Sequence, residues 1–425
     1  MSTRGQLGVV PSTGSRLAGI EGLRAVAAFS IVVFHVWLFS SPSGSFDLGP
    51  ANRFFPDLPF GVTLFFTLSG FLLYGPFANA LLSGSERPSF ARYMKNRALR
   101  ILPAYWAILL LISFALQAAT YRAGDGSKHT GALFDPAVLL RTAVFAQDYD
   151  PHTTLSGIQP AWSLAVEAVF YVTLPLLVLG AVALASRAAT AAARRAAVLA
   201  PAALLLCIGL SGKAAAAFFV PPAAPYYDGW QADWHSVVER SFWCQADLFA
   251  FGMALTVVRA EYAAGHLRLP AWWRKACLAL AVGGYALVTT SIMSGQLGYS
   301  PYNTVMAFVC ALVLALVVLT PGAAGRPGLF MRILESRPFV AAGVISYSVF
   351  LWHEPLIHWL HDQGLTRAGR GGFLLNLAVA AAVTAVLSWL TYRYVEAPAL
   401  RLKRIRGDRQ TTVQAMPVEQ VEAAP

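Results

Sequence analysis

The stretch GLRAVAAFSIVVFHVWLF, Gly22–Phe39, has the length and apolarity of a membrane-crossing helix, yet it carries Arg24 and His35. An ionisable side chain in hydrocarbon costs several kcal/mol unless it is paired or hydrated, so both residues mark a candidate site. They are eleven positions apart. At about 100° per residue that separation returns to within about 20° of one helix face and covers about 16 Å along the axis. The spacing predicts that guanidinium and imidazole look into one cavity at two depths. The plainer alternatives are a snorkelling topology anchor for Arg24 and a helix-tying hydrogen bond for His35.

The segment has many companions. Of 425 residues, 57% are hydrophobic and 12% charged, and the mean hydropathy is +0.56, outside the range of a soluble domain. Apolar windows recur at about 18–40, 58–82, 101–118, 160–185, 197–217, 241–258, 276–294, 303–320, 339–360 and 373–395. Each can cross about 30 Å of hydrocarbon at about 1.5 Å per residue. The predicted fold class is all-α, a polytopic membrane helix bundle of about ten transmembrane helices with both termini cytoplasmic. With that orientation the cytoplasmic loops and tails hold roughly 22 Lys and Arg against about 7 outside, as the positive-inside rule requires. The fifth window is the weakest, because Gly212 and Lys213 interrupt it.

A transmembrane domain is expected over 16–400, with a disordered cytoplasmic tail at 1–15 and a basic, then disordered tail at 401–425. The net charge of +11 is spread between the apolar windows, without the basic face of a nucleic-acid reader, so no nucleic acid is expected as partner. Cys207, Cys244, Cys277 and Cys310 lie in or beside apolar windows. Their spacing suggests neither a disulfide framework nor a metal site. The outside loops at about 119–159 and 218–240 are long enough to cap a cavity.

Ordering the windows by depth gathers further polar residues near His35. Glu167 in PAWSLAVEAVFYVTLPLL lies about two turns from the outer end of its span, and Asp247 lies near the outer end of another. In ISYSVFLWHEPLIHWL, His353 and Glu354 precede Pro355, whose ring removes a backbone hydrogen bond. In FFTLSGFLLYGPF, Ser69 and Gly70 lie near mid-depth, where small side chains admit either a neighbouring helix or a slender ligand. RYMKNRALRILPAYW places Arg92, Lys95, Arg97 and Arg100 ahead of Pro103, either as a topology signal or as a site for phosphate groups.

Together, GLRAVAAFSIVVFH, FFTLSGFLL, RYMKNRALRILPAYW, PAWSLAVEAVFYVTLP, SYSVFLWHEPL and the closing YRYVEAP resemble the acyltransferase-3 family of bacterial membrane O-acyltransferases, in order from about 16 to 400. The resemblance implies transfer of an acyl group from cytoplasmic acyl-CoA to a hydroxyl. The acceptor would be a surface glycan, a glycolipid or a secondary metabolite, and the location a bacterial plasma membrane. It implies roles for Arg24, His35, Ser69, Gly70, Arg97, Arg100, Trp162, Ser163, Glu167, His353 and Glu396. Some relatives carry a further extracytoplasmic domain, which is not expected here. On this reading His35 is the general base, Glu167 orients it in the manner of a triad carboxylate, and His353 joins the catalytic set. A covalent acyl-His intermediate is an alternative. Arg24, Arg97 and Arg100 would hold CoA phosphates along a path past Ser69 and Gly70, with Trp162, Ser163 and Asp247 in the substrate pocket and no metal. The competing function class is a polytopic transporter that uses buried His and carboxylates as a proton or substrate relay. No internal repeat supports that plan.

Overall fold

The structure, a computed structural model, describes residues 17–41, 46–220, 230–293, 299–319 and 328–403. The tails expected at 1–15 and beyond about 407 lie outside the described residues. Ten long helices occur among the described residues: α1 (Ile20–Phe39), α2 (Phe60–Ser83), α3 (Phe90–Leu110), α4 (Trp162–Ser186), α5 (Ala191–Phe219), α6 (Asp247–Ala263), α7 (Trp273–Met293), α8 (Tyr299–Val318), α9 (Arg337–Asp362) and α10 (Gly369–Thr391). Eight of them, α1–α5 and α8–α10, are long and apolar enough to cross a membrane, so the protein is a multi-pass helical membrane protein. The windows expected as spans at 241–258 and 276–294 form α6 and α7, with 17 and 21 residues, and neither is among the eight helices long and apolar enough to cross a membrane among the described residues.

Two features of the sequence reading change in the structure. The third helix begins at Phe90, not near 101, because Ser89 caps it by accepting the Arg92 N–H and Pro103 is carried inside the helix. Arg92, Lys95, Arg97 and Arg100 therefore project from a helix instead of a loop. The fifth helix runs unbroken through Gly212 and Lys213. Gly212 fits because its Cα faces the Trp243 backbone, where a Cβ would lie 2.5 Å from the carbonyl oxygen.

The tightest approaches join α2 to α6 and α1 to α9. Lipid tails are as apolar as leucine, so close backbone packing and interhelical hydrogen bonds hold such a bundle together. At Gly252 a Cβ would fall 1.9 Å from the Thr67 carbonyl, and at Gly70 it would fall 2.2 Å from the Phe249 carbonyl. Thr256 then donates to the Phe71 carbonyl across the same seam at 2.7 Å. Of the two roles open to Gly70, the structure assigns it helix packing. On the other seam a Cβ at Gly343 would fall 2.0 Å from the Glu21 carbonyl. These two seams fix the rotation of α1, α2 and α9 about their axes, and with it which side chains meet.

Gly252→Ala should therefore lower the midpoint of thermal unfolding in detergent, with a cost of about 1–3 kcal/mol for the forced separation. Gly180→Ala, where an added Cβ meets nothing within 4 Å, is the control and should leave the midpoint unchanged. Equal melting of the two variants would contradict this account of the seam.

Candidate active site

His35 on α1 and His353 on α9 meet at the α1–α9 seam, with His353 Nε2 2.9 Å from His35 Nδ1. His353 is fully buried and His35 is 8% exposed. The other ring nitrogen of His353, Nδ1, faces the Phe350 carbonyl at 2.8 Å and the Val349 carbonyl at 3.2 Å. Carbonyls only accept, so Nδ1 carries the proton of the neutral ring and Nε2 is left as an acceptor. His35 then donates from Nδ1, and its free lone pair is on Nε2. Glu354 places Oε2 3.6 Å from that nitrogen, too far for a hydrogen bond but within reach of an ion pair when Nε2 takes a proton.

Beyond this pair the cluster extends to His358, whose Nε2 lies 3.5 Å from Glu354 Oε1 one helical turn on. Phe39 stacks on His35 with ring centroids 5.6 Å apart and covers His358 at 4.7 Å. A short hairpin, β1 (Ala119–Arg122) and β2 (Lys128–Gly131), closes over the same end. Its Lys128 stands 4.9 Å over the Phe39 ring and donates to Gln159 at 2.9 Å. Burial lowers the pKa of this ammonium, and the Glu354 carboxylate partly opposes that shift.

His35 and Glu354 line a cavity whose wall is aromatic and amide-rich: Phe34, Phe66, Trp162, Trp230, Phe350, Gln159, Gln245 and Asn303. Arg240 holds two of these rings in place, 4.8 Å from the Trp162 centroid and 3.7 Å from that of Trp230. A second cavity, toward the opposite end of the bundle, is lined by Arg24, Ser69, Arg97, Arg100, Ser163, Glu167, Tyr171 and Tyr347. Val62, Phe66 and Phe350 line both. In place of the single cavity expected from the Arg24–His35 spacing there are two, which have these three residues in common.

The second cavity is the basic one. Arg100 pairs with Glu396 at 2.8 Å, and Ser348 donates to the same carboxylate. Arg24 is 3.9 Å from Glu21, and Arg97 Nε is buried without a hydrogen-bond partner among the described residues. Lys403, just past the last helical turn, has its pKa pushed down to about 8 by burial and by the charges of Arg97 and Arg100.

Two sequence assignments need correcting. Glu167 is not beside His35: it faces the basic cavity, where Ser69 donates to it at 2.6 Å and Tyr171 donates to its other oxygen. The carboxylate at His35 belongs to Glu354. Depth along a helix is legible in sequence, but rotation is set by packing, and α4 turns Glu167 toward α2. Asp247 lines neither cavity. It accepts from Lys213 and Thr304 and ties α5, α6 and α8 together behind the wall that carries Gln245 and Asn303. Trp162 and Ser163 are neighbours in sequence, yet they line different cavities. Sequence reading placed Glu354 at the depth of His35 without giving it a role, and did not single out His358, Lys128, Trp230, Gln159, Gln245 or Asn303. Only the His353-Glu354 dipeptide, followed at four residues by His358, offered a signal for any of them.

An acyltransferase domain model matches residues 17–393. The chain belongs to the acyltransferase-3 family. YrhL of Bacillus subtilis (strain 168), provisionally named a peptidoglycan O-acetyltransferase, is 24% identical over 394 residues, covering 90% of this chain and 54% of that protein. O-acetyltransferase OatA of Staphylococcus aureus (strain NCTC 8325 / PS 47) is 22% identical over 412 residues, covering 90% and 57%. Nodulation protein 10 of Rhizobium leguminosarum bv. viciae is 26% identical over 421 residues, covering 92% and 95%. The chain thus spans little more than half the length of the first two relatives. No solved structure matches it.

The Lys213–Asp247 pair gives a direct check on the structural role of Asp247. Removing one charge strands the other in the bundle, so Lys213→Met alone should destabilise by about 3–5 kcal/mol. The double variant Lys213→Met/Asp247→Asn should recover most of that loss in a thermal aggregation assay. A double variant as unstable as the single would refute the pairing argument.

Proposed function

We propose that the protein is a membrane O-acyltransferase of a bacterial plasma membrane, moving an acetyl or other short acyl group from cytoplasmic acyl-CoA to a hydroxyl of a glycan, glycolipid or glycosylated metabolite. The observation that carries this reading is the adjacency of two cavities, one basic and one holding His35, which have Val62, Phe66 and Phe350 in common as lining. Arginine forks suit phosphate, and three arginines line the basic end. The roughly 16 Å between Arg24 and His35 along α1 is of the order of a pantetheine arm. The nucleotide would remain at the basic mouth while the thioester reaches His35. Trp162, Trp230 and the amides of Gln159, Gln245 and Asn303 offer an apolar face with hydrogen-bond partners around it, a lining suited to a hydroxyl-rich ring. The acetyl group is favoured by the O-acetyltransferase names of two relatives.

In the proposed step the acceptor hydroxyl approaches His35 Nε2. That nitrogen removes the proton as the oxygen attacks the thioester carbonyl, forming the C–O bond; collapse of the tetrahedral intermediate breaks the C–S bond. The proton then passes from His35 to the departing CoA thiolate. His353 holds the tautomer by accepting from His35 Nδ1. The Glu354 carboxylate stabilises the imidazolium while it exists. Glu167, held by Ser69 and Tyr171, shapes the donor path on this reading.

His35→Ala should reduce transfer by about 10²–10⁴, as expected for loss of a general base, with expression and melting preserved. Near wild-type turnover in the well-folded variant would remove His35 from the mechanism. The sidedness of the reaction tests the proposed path from one cavity to the other. In sealed vesicles of known orientation, labelled acyl-CoA supplied only on the cytoplasmic face should acylate an impermeant acceptor supplied only on the other. Transfer that requires both substrates on one face would defeat the transmembrane path.

A further inference from the structure

His35, His353 and Glu354 are brought together by the α1–α9 seam so that one donor atom from each lies within 4.8 Å of the others. All three are buried. Two imidazoles and a carboxylate form the His₂Glu donor set that takes zinc in many proteins, with bonds of about 2.0–2.2 Å and donor atoms about 3.3–3.6 Å apart in a tetrahedral arrangement. His35 Nε2, which carries the free lone pair of its ring, is 3.6 Å from Glu354 Oε2, and His353 offers Nε2. The widest pair of ligand atoms is within 4.8 Å, so side-chain movements of about 1 Å bring the set onto one ion.

A second, independent observation points to a cation. Glu354 is 1% exposed, yet neither of its carboxylate oxygens has a hydrogen-bond partner among the described residues. His358 Nε2, 3.5 Å from one of them, is buried and without a hydrogen bond as well. A buried carboxylate normally has its lone pairs filled. Here two oxygens and a third imidazole nitrogen converge with their acceptor positions open. The contact of His353 Nδ1 with the Phe350 carbonyl is the outer bond that commonly fixes a metal-binding imidazole with Nε2 presented to the ion.

We infer that the His35–His353–Glu354 cluster is a binding site for a divalent transition metal of the zinc type, and that its occupation switches the transferase off. Imidazole and carboxylate donors select Zn²⁺ over the oxygen-seeking Mg²⁺ and Ca²⁺. An ion at this position occupies a ring nitrogen of His35 and displaces the His35–His353 hydrogen bond, so the imidazole no longer accepts the hydroxyl proton. The inhibition rests on His35 acting as the base; the binding does not.

The test uses the full, tag-free chain in detergent, stripped with EDTA and titrated with ZnCl₂. Metal content after desalting should be one equivalent above that of Glu354→Gln and His353→Gln, whose zinc affinities should be at least tenfold weaker. In the wild type alone, CoCl₂ should give the intense visible bands of a four-coordinate Co²⁺ site, a readout that does not depend on a variant folding. Zinc should abolish transfer from acetyl-CoA, and EDTA should restore it. Equal zinc content in wild type and variants, or the weak spectrum of six-coordinate Co²⁺, would overturn the site and leave the acyltransferase reading untouched. Stoichiometric zinc with unchanged or faster transfer would overturn the switch. In that case the His35→Ala rate decides separately whether His35 is the base.

Discussion

The cost of holding a polar group in hydrocarbon organises this protein. An ionisable side chain in the bundle must find a partner on another helix or face a hydrated cavity, and several of those described in the spans find such a partner. His35 meets His353 across α1 and α9. Lys213 meets Asp247 across α5 and α6, and Arg100 meets Glu396 where the chain comes back after α10. Glu167 accepts from Ser69 across α4 and α2. Each pair couples two helices, so the pattern of charges also specifies which helices are neighbours.

The proposed site lies where that pairing is incomplete. Arg97 keeps a buried donor unused, and Glu354 keeps both oxygens without hydrogen bonds among the described residues. These open valences lie in two adjacent cavities that have Val62, Phe66 and Phe350 in common as lining. A bundle stabilised only by apolar packing would have no reason to leave either open. An enzyme that holds an anionic donor at one end and moves a proton at the other has use for both.

The close seams make this possible. Gly252 against Thr67 and Gly343 against Glu21 bring backbones near enough that side chains one or two turns away are held at fixed distances. The imidazole pair sits on the second of these seams. Its geometry is therefore a property of helix packing, with the loop hairpin that carries Lys128 closing over it from outside.

The membrane character and most of the spans were legible in the sequence, because bilayer thickness fixes how long an apolar run must be. The Arg24–His35 spacing was legible for a similar reason: the helical repeat alone places both side chains on one face. Depth along each span could also be read, which is how His353 and Glu167 came under consideration. Rotation about each axis could not be read, since it depends on where small residues let two backbones approach, and that is a property of pairs of helices. Tertiary packing alone therefore decided that Glu354 and not Glu167 stands at His35, that Asp247 answers the lysine carried inside the unbroken α5, and that Trp162 and Ser163 face different cavities.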